Sequence, residues 1–378
     1  MTAVLQQKDS TMSHVLYLTF ELSNKKWKLG FSNGQKKRIR TLQAGDWPTL
    51  LAEIKQAKAR LNCTEDSTVV SCYEAGRDGF WIHRALVAEQ IKSHVIDSAS
   101  IEVNRRKRRV KTDKIDVAAM LRLLMRFMSG EKEALNTIRV PTVLEEDQRR
   151  LNRERDRLIK ERGAHSARIK SLLIAHGIRL EKMSDLPRLL ATAKAAVIGY
   201  DLPEDLKSEL MREYERYDLV AQQIKKQEQL QIDRAESQDI PAMKHIQHLR
   251  SLKGVGWQSS WVLTMEFFNW REFKNARQLG ACAGLTPTPY DSGDSIKEQG
   301  ISKAGNKRIR KLMVELSWLW LRYQPASHLS QWFNRRFAQG GKRMRRIGIV
   351  ALARKLLIAL WRYLDQGVLP EGAILKIV

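Results

Sequence analysis

Cysteine is nearly absent from this chain, and acid is in short supply. Cys63, Cys72 and Cys282 are the three cysteines, far apart in sequence, without the close pairs of a zinc site or the even framework of a disulfide-stapled domain. They read as reduced structural thiols, so any metal has to be held by oxygen. Asp and Glu number 42 against 67 Lys and Arg, a formal net charge of +25. That excess is more than solubility requires and points to a polyanion, either nucleic acid or an anionic membrane surface. Long apolar runs are missing as well: IGIVALARKLLIALW is broken by Arg354 and Lys355 and is too short to span a bilayer. The opening MTAVLQQKDSTMSHV has no charged segment followed by an apolar one, so no secretory signal is visible. The expectation is a soluble cytoplasmic protein with no membrane partner. No repeat of roughly 20–50 residues recurs.

What the chain does have is enough apolar residue, 43% of 378, to bury two or three cores at roughly 100–200 residues per domain. VLYLTF (15–20), KWKLGF (26–31) and KRIRTL (37–42) read as strands, with SNGQ as a turn between the last two. A helix through WPTLLAEIKQAKARL, a strand STVVSCYE, a helix over 80–90, a strand SHVIDS and a helix over 112–128 follow. Three strands and then alternating helix and strand predict a mixed α/β sheet flanked by helices, the order of a ribonuclease-H-like fold, over residues 1–135. Residues 136–238 turn charged and helix-favouring. Leu144, Leu151, Leu158 and Leu172 keep a seven-residue grid broken at His165, and Leu206, Leu210, Tyr214, Tyr217, Ala221 and Ile224 keep 4-4-3-4-3 spacing. Two long coiled-coil helices are expected there, joined through 176–203 and paired with each other or with a partner subunit. Residues 239–378 form a third, mostly α region. In it LRSLKGVGWQSSWVLTMEF reads as a helix-hairpin-helix-like element, GLTPTPYDSGDSIKEQG as a loop, and SKAGNKRIRKLMVELSWLWLRY as a helix.

Acids fall where the predicted strands end. Glu21 closes the first strand and Glu74 the fourth, while Asp113 and Asp116 lie three apart on one helix face. Taken singly, each is an ordinary helix-start or strand-end acid. Taken together, on adjoining strands and a covering helix, they form a carboxylate cluster that repels itself without a countercharge and suits a hard divalent cation. Two such ions activate a nucleophile and stabilise the leaving oxygen in phosphodiester cleavage. The basic run Arg105, Arg106, Lys107, Arg108, Arg109 and Lys111 just ahead of Asp113 then holds the nucleic-acid backbone.

These blocks carry a family resemblance. FELSNKKWKLGF, SCYEAGRDGFWIHRAL and RRVKTDKIDVAAML resemble, in order and spacing, the RuvC-like N-terminal domain of DEDD-type insertion-sequence transposases, and GACAGLTP…DSG…GISKAGNKRIRKLM resembles their C-terminal transposase domain. The resemblance implies Mg²⁺ or Mn²⁺ at Glu21, Glu74, Asp113 and Asp116, DNA as substrate, a homodimer or homotetramer, and a structured noncoding RNA as guide. The first acid of the family is an aspartate, and the matching position here is Glu21, whose longer arm moves the ion or the backbone. Asp97 is a lower-ranked alternative. The resemblance also implies that Ser292, in PYDSGDS, is the nucleophile that joins covalently to DNA. A hydroxyl on a glycine-bordered loop can approach a phosphodiester closely, although Asp, Ser and Gly also make ordinary turns.

Lys303, Lys307, Arg308 and Arg310 downstream are placed to stabilise phosphate charge. Arg335, Arg336, Lys342, Arg343, Arg345 and Arg346 surround a glycine turn and suit a backbone grip, while the neighbouring Trp318 and Trp361 fall on apolar helical stretches and read as core. The expected activity is DNA transposition by strand cutting and rejoining. Two rivals stand beside it: a metal-dependent nuclease of the Holliday-junction-resolving kind with no covalent intermediate, and a non-catalytic nucleic-acid-binding protein.

Overall fold

The structure is a computed structural model that describes residues 13–97, 113–192, 199–237, 241–292 and 295–376. The chain forms two compact units, Met1–Val140 and Pro141–Val378.

In the first unit β1 (Ser13–Leu22), β2 (Lys26–Ser32) and β3 (Lys37–Gln43) form an antiparallel meander, followed by α1 (Trp47–Arg60), β4 (Cys63–Glu74), α2 (Trp81–Ala88), β5 (Lys92–Ile96) and α3 (Asp113–Met128). The sheet order is β3-β2-β1-β4-β5, with β4 and β5 parallel to β1. This is the predicted mixed sheet, element for element. Period-two alternation sorts the strands between two faces. Leu16, Leu18 and Phe20 point into a core with Leu50, Ile54 and Ala57 of α1 and Ile82 and Leu86 of α2. Val70, Cys72 and Ile96 point the other way, under Met120, Leu123 and Leu124 of α3. The Thr19 hydroxyl, on that second face, donates to the Val117 carbonyl at 3.4 Å and ties α3 to the middle of β1.

The second unit starts with a short α4 (Val143–Asp147), closed by a reciprocal Thr142/Glu145 cap, and continues into α5 (Arg150–Ile174). After α6 (Leu186–Thr192) comes α7 (Glu204–Ser237), which packs antiparallel against α5 within the same chain: Arg155 bonds Glu228 near one end and His165 bonds Glu213 further along. The pairing partner of each helix is thus its own neighbour. Leu158 joins Val220 and Ile224 in the seam, whereas Leu144 is 64% exposed and belongs to α4, outside it. The break at position 165 has a physical cause. His165 Nδ1 donates to Glu213 Oε2 (2.7 Å), where Arg168 also donates (2.6 Å), while Arg216 donates to Oε1 (2.7 Å), so a buried carboxylate replaces apolar packing.

The rest of the unit is α8 (Pro241–Ser251), α9 (Trp257–Leu263) running on into a π-helical turn over Thr264–Phe268, α10 (Ala276–Ala283), β6 (Pro287–Ser292), β7 (Ser295–Ile301), α11 (Lys307–Tyr323), α12 (His328–Phe337) and α13 (Lys342–Gln366). Two expectations fail. The segment expected to be a loop contains the β6–β7 hairpin, with Tyr290 opposite Lys297 and Ser292 opposite Ser295. Its prolines obscured it, but a two-stranded ribbon has only edges, where proline is tolerated. Trp361 packs partly against a core that also buries Trp320 fully, as expected of Trp361, but Trp318 stays 42% exposed, edge-on to Phe333.

Candidate active site and nucleic-acid interface

Two of the predicted acids share one cleft. β1 and β4 run side by side with Phe20 opposite Tyr73, so Glu21 and Glu74 follow one another's level at the same edge of the sheet. Phe20 and Tyr73 both belong to the core under α1 and α2, and alternation turns the next residue of each strand to the face that α3 covers. The two carboxylates line a cleft of about 500 Å³ together with Asn24, Arg77 and Asp78. Lys28 stands across from Glu21 on β2, a cation opposite an acid on one sheet face. Asp116 is half-buried on α3, one residue before the Val117 carbonyl that receives Thr19. Asp97 does not line the cleft.

Asp78 escaped sequence reasoning because AGRDG reads only as a turn. The available signal was an acid four residues beyond Glu74 in the loop leaving the same strand end. Among the described residues no three His, Cys, Asp or Glu side chains stand within joint reach of one ion. The side chain of Asp113 and all of Arg105, Arg106, Lys107, Arg108, Arg109 and Lys111 lie outside the described residues.

In the second unit the backbone of Ser292 ends β6, at the tip of the hairpin; its side chain lies outside the described residues. The base of that hairpin is fixed by two interlocked glycine loops. Gly284 has φ +68° and Gly305 φ +109°, conformations that favour glycine. A Cβ on Gly284 would collide with the Ala304 carbonyl and the Arg310 guanidinium, and one on Gly305 would sit 2.5 Å from the Cys282 carbonyl. The Asn306 amide donates to that Cys282 carbonyl (2.7 Å), and the Ser302 amide to Thr286 (2.9 Å), just ahead of β6. The Asn306 side chain then accepts from the amides of Arg308 and Ile309 and caps α11.

This arrangement sorts the predicted cations. Lys303 and Lys307 are exposed, and Lys303 holds a left-handed backbone, φ +55°, which a non-glycine residue adopts only when its surroundings impose it. Arg308 pairs with Asp156 (3.1 Å), and Arg310 reaches the Ala283 carbonyl. Nearby, Glu266 in the π-helical turn is 1% exposed and accepts from Arg153 (2.6 and 2.9 Å) and Asn152 (3.0 Å). Burial pulls its carboxyl pKa up, but the bonds and charge of Arg153, helped by Asn152, leave it below the ordinary value. Arg335 and Arg336 at the end of α12, and Lys342, Arg343, Arg345 and Arg346 at the start of α13, are all exposed and form no ion pair among the described residues.

Residues 246–331 match the model of the transposase IS116/IS110/IS902 family. The chain is 41% identical over 388 residues to y4rJ of Sinorhizobium fredii, a protein named as a transposase, with 96% of this chain and 94% of that one aligned. It is 27% identical to the transposase for insertion sequence element IS1328 of Yersinia enterocolitica over 57% of this chain and 62% of that one. With the transposase for insertion sequence element IS1111A of Coxiella burnetii it shares 26% identity, covering 68% and 67%. The chain belongs to the IS116/IS110/IS902 transposase family. The matched segment of this transposase runs from within α8 into α12 and takes in both glycine loops, the hairpin with Ser292 and all of α11. The acid cleft lies outside that segment, in the first unit. No helix among the described residues is long and apolar enough to cross a membrane.

Proposed function

We propose that this transposase cuts and rejoins DNA with two sets of groups: the carboxylates Glu21, Glu74, Asp113 and Asp116 of the first unit, and Ser292 of the second. The observation that carries the reading is the pairing of Glu21 and Glu74 on adjacent strand ends of a β3-β2-β1-β4-β5 sheet, in a chain aligned to a transposase over 96% of its length. That strand order supports a ribonuclease-H-like, RuvC-like reading of the first unit. The donors there are all carboxylate oxygens, the set that suits Mg²⁺ or Mn²⁺, and Mg²⁺ is commonly held by one or two carboxylates with water and substrate phosphate completing the shell. Glu21 and Glu74 fit that requirement, with Asp113 and Asp116 on the covering helix as further ligands. A bound ion supplies Lewis-acid stabilisation of charge on the phosphate.

The protein's own groups do the rest. The Ser292 hydroxyl loses its proton as its oxygen bonds to phosphorus, the phosphorus–oxygen bond to one strand end breaks, and that end leaves as a hydroxyl. A hydroxyl from a second strand end then attacks the phosphoserine, restores a phosphodiester and frees Ser292. Lys303 and Lys307, exposed beside the hairpin base, stabilise the phosphate charge as it moves. Exposed Leu219, Leu230 and Ile232 on α7 support self-association as a homodimer or homotetramer. The six exposed cations of α12 and α13, outside any ion pair among the described residues, suit the phosphates of DNA and of a structured noncoding guide RNA.

Ser292→Ala tests the covalent step. The variant is expected to lose covalent protein–DNA adducts and recombination while retaining DNA binding; adducts that survive would remove Ser292 from the role, and strand cutting that persists at full rate without any adduct would favour the metal-only nuclease.

A further inference from the structure

We propose that Trp81 is a stacking platform for an unpaired DNA base, placed between a lysine-lined groove and the acid cleft. Trp81 opens α2 and is 44% exposed, a large apolar surface left in water. Its ring rests against two other indoles: Trp27, buried to 1% exposure, at 5.7 Å between centroids, and Trp47 at 6.0 Å. The loop that delivers it is fixed, because the Tyr73 hydroxyl donates to the Gly79 carbonyl (3.0 Å) and the Ala75 amide to Ile96 (2.8 Å). The exposed ring therefore has a rigid aromatic base beneath it and little ordering cost on binding.

Its position gives the ring a partner. Trp27 pairs in register with Leu22 on one side and Leu42 on the other. Leu22 lines the acid cleft with Glu21, Glu74 and Arg77; Leu42 lines a second groove of about 620 Å³ with Lys25 and Lys26. Lys25, Lys26 and Arg77 are exposed. An exposed indole whose supporting Trp27 is flanked in register by two grooves that carry Lys25, Lys26 and Arg77 suits a nucleobase, whose flat face stacks while its phosphates meet lysine. A protein helix would need further apolar anchors at helical spacing around the ring, and the next exposed apolar residue on α2, Val87, is nearly two turns away. The inference rests on reading the cleft as the place where a DNA strand is cut, and this makes the occupant a base of that strand.

The test uses the full chain and two single-stranded DNA probes of equal length, oligodeoxyadenylate and an abasic backbone, in buffer with chelator so that no strand is cut. Trp81→Ala is expected to weaken binding to the base-bearing strand on the order of tenfold and to leave abasic binding unchanged, with Trp81→Phe recovering most of the loss. Equal affinity of Trp81→Ala and the parent for the base-bearing strand overturns the proposal. So does an equal loss on the abasic strand. Glu74→Gln, assayed separately for recombination, reports on the cutting reading alone: if it kills recombination while Trp81→Ala binds normally, the platform is wrong and the reading of the cleft stands.

Discussion

At the scale of single residues, the acid cleft depends on groups whose replacement changes charge and little else. Glu21 and Glu74 are half-buried, so Glu74→Gln keeps volume and packing while removing a negative charge that nothing nearby replaces. The expected result is a fall in strand cutting of about 100-fold or more, with DNA affinity kept or slightly raised, read by single-turnover cleavage beside a binding titration. Glu21→Asp keeps the negative charge and is expected to stay active, since an aspartate reaches the same cleft with a shorter arm. If Glu74→Gln cuts as fast as the parent, the carboxylates have no part in the chemistry. Asp78, which lines the same cleft, is the residue to vary next.

Among the elements, the helical pair α5 and α7 carries a pH dependence. Bonding from His165, with Arg168 and Arg216 beside it, outweighs burial and holds the Glu213 carboxyl at about 2, down from an ordinary 4.5. A carboxylate with a folded pKa below its unfolded one stabilises the fold above the unfolded pKa, and the contribution fades as pH falls from about 4.5 to about 2. The pair is therefore expected to loosen across that acid window, followed by circular dichroism melts. Glu213→Gln is expected to cost about 1–3 kcal/mol at neutral pH and to flatten the acid slope; an unchanged slope would place the acid sensitivity elsewhere. The polar break at 165 also opposes a slip of the two helices past each other, since any other register leaves a carboxylate in the seam without its cations.

For the whole molecule, charge dominates. A net +25, with six cations of α12 and α13 outside any described ion pair, implies that nucleic-acid affinity falls steeply with salt. On duplex DNA each phosphate contact contributes a slope of roughly 0.9 in log affinity against log salt. Replacing Arg343, Arg345 and Arg346 together by Gln is expected to lower that slope by about 2 to 3, measured by anisotropy titrations across a salt series. A slope that does not move would mean that these arginines face no phosphate. Sequencing the RNA that accompanies the protein purified from its host is expected to return one discrete species; random fragments would argue for recognition of DNA by protein alone.

The strands and helices of the first unit were legible because each follows its own period, two for the buried alternation of β1 and 3.6 for α1 and α3, and because turn residues such as Asn33 and Gly34 mark the breaks. The charge, the basic segments and the order of acids on strand ends were equally plain, being properties of the chain taken in sequence. Other features needed the third dimension. Parallel pairing of β1 with β4 is a contact between segments about 50 residues apart, and it alone sets Glu21 beside Glu74 and brings Asp78 to them. The β6–β7 hairpin was hidden because proline and glycine dominate its local signal, and its base is secured by Gly284 and Gly305, which lock against other stretches of backbone. Trp318 and Trp81 look on paper like any core tryptophan. Packing leaves both partly in solvent, because burial is decided by which neighbours cover a side chain, and local sequence does not specify those neighbours.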